Sequence, residues 1–241
     1  MSLQFLNLTL DILGKTLLSD TRGASREGRW PHWSVYMAIE KIIMHDLNSL
    51  YQRVSYHVHE MRKPAPDKAQ MQAILQAAMS TPDHGRLRPW HFLVVQGDSI
   101  TNLVGHLRDA WLSHDTKVTP AQANRLADYL SNAPSLVLIS ARVQTHKEVS
   151  QQDQILSAAA ACQMTLLAAD RLGFGGVWYS TDAVELPGVR EILGLGSEHY
   201  PVGFLVFGTP IEVRQKPRSN VGQYTQVWQA PNQLSPWMTE K

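Results

Sequence analysis

At 241 residues, 44% of them hydrophobic and 18% charged, the chain is long enough to bury a full core, as one large domain or two small ones. Its 22 basic and 21 acidic residues leave a formal net charge of +1, which argues against duplex nucleic acid or an anionic membrane surface as a partner held by charge. A single cysteine, Cys162, excludes an intrachain disulfide framework and fits a reducing compartment, with the cytoplasm as the default.

Residues 3–18 (LQFLNLTLDILGKTLL) are apolar but lack the basic start and small-residue cleavage site of a signal peptide. Asp11, Gly14 and Lys15 interrupt the run well short of the roughly 20 apolar residues of a membrane span. The Asn7-Leu8-Thr9 sequon is accordingly read as meaningless. Residues 19–33 form a polar loop rich in Gly and Arg, and helical patterning returns from Val35 to Tyr51. Met44 is itself a candidate start, which makes residues 1–43 an optional extension and 44–241 the main domain.

From Asp67, a plausible N-cap, Met71, Ile74, Leu75 and Ala78 recur at helical spacing. This helix is expected to end at Thr81-Pro82, because proline disfavours helical geometry in the residue before it. Phe92–Gln96 reads as a strand, and Ile100, Leu103, Val104, Leu107 and Trp111 as the apolar face of a helix beginning at Asp98. Thr119-Pro120-Ala121-Gln122 is a capping box opening a third helix, and Ser135–Ser140 (SLVLIS) is a buried strand.

Gln154–Leu172 contains six alanines and is apolar on nearly every face, so it is expected to be sandwiched between other elements or against another subunit. Gly173 supplies its stop. Val177–Ser180 is a short strand or extended turn, Leu186–Leu193 a helix with Pro187 in its first turn, and Val202–Phe207 another strand. The tail from Thr209 is polar, with a basic Lys216-Pro217-Arg218 step. Mixed elements without a repeated βαβ unit favour α+β over a doubly wound sheet.

Two junctions gather polar groups where helices give way to strands. The first, Ala77–Val95, holds Pro82-Asp83-His84 and Pro89-Trp90-His91. The second, Gly173–Thr181, reads GFGGVWYST. Asp83-His84 suggests a dyad, but no G-x-S-x-G elbow accompanies it, and Cys162 lies mid-helix in apolar company as a buried structural thiol. His57-x-His59 has no further Cys or His at ligand spacing, so no metal site is assigned. The GFGG step follows a helix rather than a strand and fails the dinucleotide fingerprint on context. It reads either as a cap with a flexible turn or as a close backbone approach to a flat ligand. In isolation Arg53, Lys216 and Arg218 read as solvated charges.

Taken in order, LYQRVS at 50–55, PAP at 64–66, AAMSTPDH with RPWHF, the alanine-rich helix running into GFGGVW, VGFLVFGTP at 202–210 and KPR at 216–218 resemble the nitroreductase family, in particular its short bacterial branch. The resemblance covers roughly Met44–Trp228. It implies an α+β fold around a central, mixed and mostly antiparallel sheet flanked by helices, and an intertwined homodimer that shares FMN at its interface. Arg53 then falls on the first arginine of the family's Arg-Arg-Ser step, where a guanidinium grips the FMN phosphate through paired hydrogen bonds. Val54 replaces the second arginine, and Ser55 matches the serine that meets the flavin edge or ribityl chain.

Arg218 and Lys216 match the basic C-terminal residues that close on the same phosphate. His84 matches the branch's Asp-His, and Ser80 lies where the branch often has a basic side chain. Both are expected to reach a flavin bound mainly by the other subunit. Arg88 replaces the usual glutamine before Pro-Trp. Trp178, Tyr179 and Ser180 match the segment lining the isoalloxazine, with backbone N–H groups at Ser180 or Thr181 facing N5 and the preceding glycines letting the chain turn under the ring. Ala168–Gly173 aligns with a stretch associated with nicotinamide-nucleotide binding, although here it is mostly a helix end.

The resemblance implies a two-electron oxidoreductase in which NADH or NADPH passes a hydride to flavin N5, and a nitroaromatic or quinone-like small molecule then accepts it. No protein nucleophile is required. The alternatives are specialised flavin chemistry on the same fold, such as dehalogenation, heterocycle oxidation or flavin fragmentation, and a flavin-binding protein without turnover.

Overall fold

A computed structural model of the chain describes residues 47, 50–114, 118–180 and 182–237. The proposed boundary at Met44, the extension 1–43 and Thr181 lie outside the described residues. The chain divides at Ser49/Leu50, and the architecture below is that of the unit beginning at Leu50.

Strand β1 (Met61–Arg62) is followed by helix α1 (Lys68–Ala78), whose start is fixed by a reciprocal capping box. Asp67 Oδ1 accepts from the Gln70 N–H at 2.8 Å, and Gln70 Oε1 accepts from the Asp67 N–H at 2.9 Å. Caps of this kind stabilise a helix by about 1 kcal/mol. Helix α1 ends at Ala78, three residues before the expected Thr81. The Ser80 and Thr81 N–H groups turn back to the Ala77 and Ala78 carbonyls, and Ser80 Oγ donates to the Ala77 carbonyl at 2.8 Å. These local bonds close the helix before Pro82 has any effect.

Next come β2 (Trp90–Gln96), α2 (Asp98–His114), α3 (Pro120–Ser131) and β3 (Ser135–Arg142). Thr119 caps α3 through Gln122 as its sequence predicts. Strand β3 lies between β2 and β5 (His199–Pro210), antiparallel to both, and its residues are buried from Ser135 to Ala141. Alternation explains why the strand is apolar throughout: Leu136 and Leu138 face one layer of helices, Val137 and Ile139 the other. On the first side Leu138 and Phe204 meet Leu107, Trp111, Val189 and Leu193. On the second, Val137, Ile139, Leu205 and Phe207 meet Met71, Ile74, Cys162 and Leu166.

Helix α4 (Gln151–Arg171) is capped by Ser150, whose Oγ accepts from the Asp153 N–H at 3.0 Å. It lays Ala158, Ala161, Cys162 and Ala169 against the sheet with no exposed surface, whereas Leu156 on its other side is 55% exposed. The single chain thus supplies one side of the expected sandwich. Gly173 (φ +84°) ends the helix in the left-handed region, and the Phe174 N–H reaches back to the Ala169 carbonyl at 2.9 Å.

Strand β4 (Gly175–Tyr179) pairs antiparallel with β5, and α5 (Pro187–Ile192) follows it. The order β1-β5-β3-β2, with β4 also on β5, is antiparallel throughout. Among the described residues a single parallel bridge, Ser55 to Gly176, makes the sheet mixed. The tail departs from its expected character as a merely polar segment. Strand β5 runs to Pro210, and Gln226–Ala230 (β6) pairs with Gln233–Pro236 (β7) in a hairpin turned at Asn232 (φ +62°), leaving Trp228 and Trp237 exposed. Asn is among the few residues that adopt that conformation readily. Among the described residues no helix is long and apolar enough to cross a membrane.

Candidate functional site

Residues 51–60 precede α1 by way of β1, and residues 211–218 follow β5. The two stretches lie side by side. The Ile211 N–H donates to the Glu60 carbonyl at 2.9 Å, and the Tyr56 N–H donates to the Gly176 carbonyl at 3.2 Å, fastening the first stretch to β4. Between them opens a cleft of about 440 Å³, walled on one side by Arg53, Val54, Ser55 and His57 and on the other by Arg214, Gln215, Lys216 and Arg218. The volume is in the usual range of small-ligand sites.

Its electrostatics are one-sided. Arg218 Nε donates to the Tyr51 carbonyl at 2.9 Å, and its Nη2 donates to the Arg53 carbonyl, so this guanidinium is locked onto the opposite wall. Arg53 Nη1 donates to Ser55 Oγ at 3.4 Å. Burial, then the nearby Arg218 charge, pull the Arg53 guanidinium below its ordinary value, and Asp170 works against both. Among the described residues Arg53, Lys216 and Arg218 form no ion pair, whereas Arg214 is paired with Glu60. In a chain of net charge +1, such a cluster attracts an anion that several donors can grip at once.

The expected site residues divide into three groups. Arg53, Val54, Ser55, Lys216 and Arg218 meet in the cleft, although the Val54 side chain is turned into the core with Tyr56, Val58 and Met61. Ser80 and His84 lie in the connection between α1 and β2 and share no hydrogen bond or ring contact with the cleft residues. Trp178 and Tyr179 form the far end of β4, and Ser180 follows it. There Trp178 Nε1 donates to the Val202 carbonyl at 3.1 Å, and the Tyr179 ring lies 5.4 Å from that of Tyr129, where burial pushes its phenol above the ordinary value.

The dyad suggested by Asp83-His84 does not form. Asp83 Oδ2 accepts from the Arg88 N–H at 2.6 Å and serves the loop's own backbone, which has φ of +75° at Gly85, +55° at Arg86 and +50° at Arg88. The glycines of β4 make room for packing within the chain. A Cβ on Gly175 would stand 2.8 Å from the Tyr56 ring, and one on Gly176 would stand 2.9 Å from Leu166 and 3.0 Å from Phe207. Gly175 and Gly176 thus admit core side chains where a Cβ would stand.

Arg214, Glu60 and His57 were not expected at the site. Arg214 had a legible signal: Arg214, Lys216 and Arg218 alternate, and in an extended chain alternate residues share a face. Its partner Glu60 is 154 positions away and carries no sequence mark.

A family model described as the nitroreductase family matches residues 58–209. "Putative NAD(P)H nitroreductase YdjA" of Escherichia coli K12 is 33% identical over 150 residues, spanning 62% of this chain and 81% of its own. Among solved structures, a nitroreductase-like family protein from Bacillus cereus superposes with a TM-score of 0.67 at 19% identity, over 76% of this chain and 96% of its own. An FMN-dependent nitroreductase from Clostridium difficile R20291 superposes with a TM-score of 0.53 at 24% identity, over 71% of this chain and 91% of its own. The cleft's lining residues fall outside the matched stretch, on its two flanks.

Proposed function

The chain belongs to the nitroreductase family, and on that premise we propose that it is an FMN-dependent NAD(P)H oxidoreductase that reduces nitroaromatic or quinone-like acceptors. The observation that carries this reading is the cleft in which Arg53, Lys216 and Arg218 converge without ion-pair partners among the described residues. A phosphate monoester fits such a donor set, because guanidinium groups present paired N–H bonds to its oxygens. Arg53 and Arg218 would grip the phosphate, Lys216 would add charge, and Ser55 Oγ would bond to the ribityl side. Bound FMN supplies the electron transfer, from a reduced nicotinamide to the acceptor. The protein's part is to hold the cofactor, place donors where negative charge accumulates and limit water.

In this reading two copies complete each site. The separation of Ser80 and His84 from the cleft within one chain, together with the exposed side of α4 at Leu156, supports a shared pocket to which the second copy brings those residues. The lining role of Trp178, Tyr179 and Ser180 belongs to the same proposal.

The test is to purify the protein, reconstitute it with FMN, and follow the flavin's visible absorption under anaerobic conditions as NADH or NADPH is added. Bleaching, followed by recovery on addition of a nitroaromatic or quinone, is the expected outcome. A protein that retains no flavin overturns the reading, and one whose flavin stays oxidised restricts it to binding. Light scattering at known concentration should give twice the chain mass.

A further inference from the structure

Arg214 is the cleft's only cation whose charge is already matched among the described residues. Its Nη1 is bonded to Glu60 Oε1, and its Nη2 donates to Glu60 Oε2 at 3.0 Å and to the Ser55 carbonyl at 2.9 Å. The guanidinium lies 5.3 Å from the centre of the Tyr56 ring, and the Arg214 N–H donates to Tyr56 Oη at 3.3 Å. Glu60 is fixed in turn. Its Oε2 accepts the His57 N–H at 2.7 Å, and that bond, joined by the hydrogen bond and charge of Arg214 and opposed by burial, draws the carboxyl below its ordinary range. The Tyr56 ring occupies the space left by the missing side chain of Gly175.

Bonds to both Ser55 and Tyr56, made from the residue four before Arg218, fix the height at which the returning tail crosses the first wall. With its charge matched by Glu60, Arg214 has little left for a ligand anion, yet Lys216 and Arg218 can meet Arg53 only if the tail is held there. We propose that Arg214, clamped by Glu60, is a positioning residue that sets the phosphate selectivity of the cleft. It favours phosphate-bearing FMN over riboflavin by holding Lys216 and Arg218 in place. This inference rests on the FMN reading above.

The experiment measures dissociation constants for FMN and riboflavin by flavin fluorescence in the wild type, Arg214→Ala, Arg214→Lys, Glu60→Gln, the Arg214→Ala/Glu60→Gln double variant and Arg53→Ala. The positioning role predicts that Arg214→Ala and Glu60→Gln each weaken FMN roughly tenfold, about 1.4 kcal/mol. Riboflavin binding should change less than about twofold on the same scale. The double variant should be no worse than either single one, because both break one clamp, and Arg214→Lys should restore part of the loss.

A direct phosphate contact by Arg214 predicts the opposite for Glu60→Gln, which frees the guanidinium and would leave FMN binding unchanged or tighter. That result overturns the proposal, as does unchanged FMN affinity in Arg214→Ala. Loss of FMN and riboflavin in equal proportion shows a merely structural role and also overturns it. Arg53→Ala separates the two levels. If it too leaves FMN affinity unchanged, the phosphate assignment itself fails, whereas a loss confined to Arg53→Ala refutes the clamp alone.

Discussion

Ser140 Oγ lies 3.0 Å from Nδ1 of His199, sealed between β3 and β5 where the register of the two strands shifts. Ser140 has no exposed surface, and His91 approaches the same hydroxyl at 3.2 Å from β2 with its ring edge-on to that of His199. Such a hydroxyl is out of reach as a nucleophile. The cluster instead couples stability to proton concentration.

Burial, followed by the nearby His91, Arg142 and Arg190, lowers the His199 pKa, and Glu198 opposes them. A histidine whose folded pKa is depressed contributes stability that is fully present above its unfolded value of about 6.5 and is lost as pH falls from there toward the folded value. The urea midpoint should therefore drop between pH 8 and pH 5, and His199→Asn, which keeps a partner for Ser140, should flatten the dependence. An identical slope in wild type and variant would assign the effect elsewhere.

Gly175→Ala should destabilise the fold by about 1–3 kcal/mol, the usual range for overpacking, because its Cβ would stand 2.8 Å from the Tyr56 ring and 3.0 Å from Pro210. Displacing Tyr56 disturbs the surface on which Arg214 rests, so flavin affinity should fall together with the melting temperature. A variant as stable as the wild type would mean that the Tyr56 ring moves aside freely.

Cys162 is fully buried, and desolvation pushes its thiol up to about 12. Iodoacetamide at pH 8 should leave it unmodified in native protein and label it on unfolding, because the thiolate is the reactive species. Stoichiometric labelling of the native protein within minutes would show that α4 opens readily.

Arg53→Ala should weaken FMN by roughly one to two orders of magnitude, the scale of a lost hydrogen bond to a charged group at about 1.5–3 kcal/mol. The affinity that remains should depend less on salt. Isothermal titration at two ionic strengths measures both, and an unchanged salt slope would move the phosphate away from Arg53.

The helices were legible because their determinants are local. Asp67 with Gln70 and Thr119 with Gln122 place two helix starts within four residues of chain. The β6–β7 hairpin was not legible, because QVWQA and QLSP lie largely exposed and carry no clear alternation, leaving only Pro231-Asn232 to mark the turn. At the cleft, the basic residues could be named through family resemblance, but their grouping depends on contacts such as Arg214 with Glu60 that span most of the sequence. The packing role of Gly175 and Gly176 was illegible for a related reason. What a glycine makes room for is decided by residues distant in sequence, here Tyr56, Leu166 and Phe207.

Arg218 bonds to a carbonyl 167 positions earlier, so the cleft joins the two ends of almost the whole described chain. An anion gripped there works as a removable staple, and dissolving the fold must first release it. At a hundredfold excess over the dissociation constant, a ligand that binds only the folded state adds about 2.7 kcal/mol to unfolding. Thermal melting thereby becomes a way to rank candidate occupants without following any reaction. Of a panel of phosphorylated and unphosphorylated compounds, the one that raises the transition most at equal concentration is the one this junction of chain ends holds best.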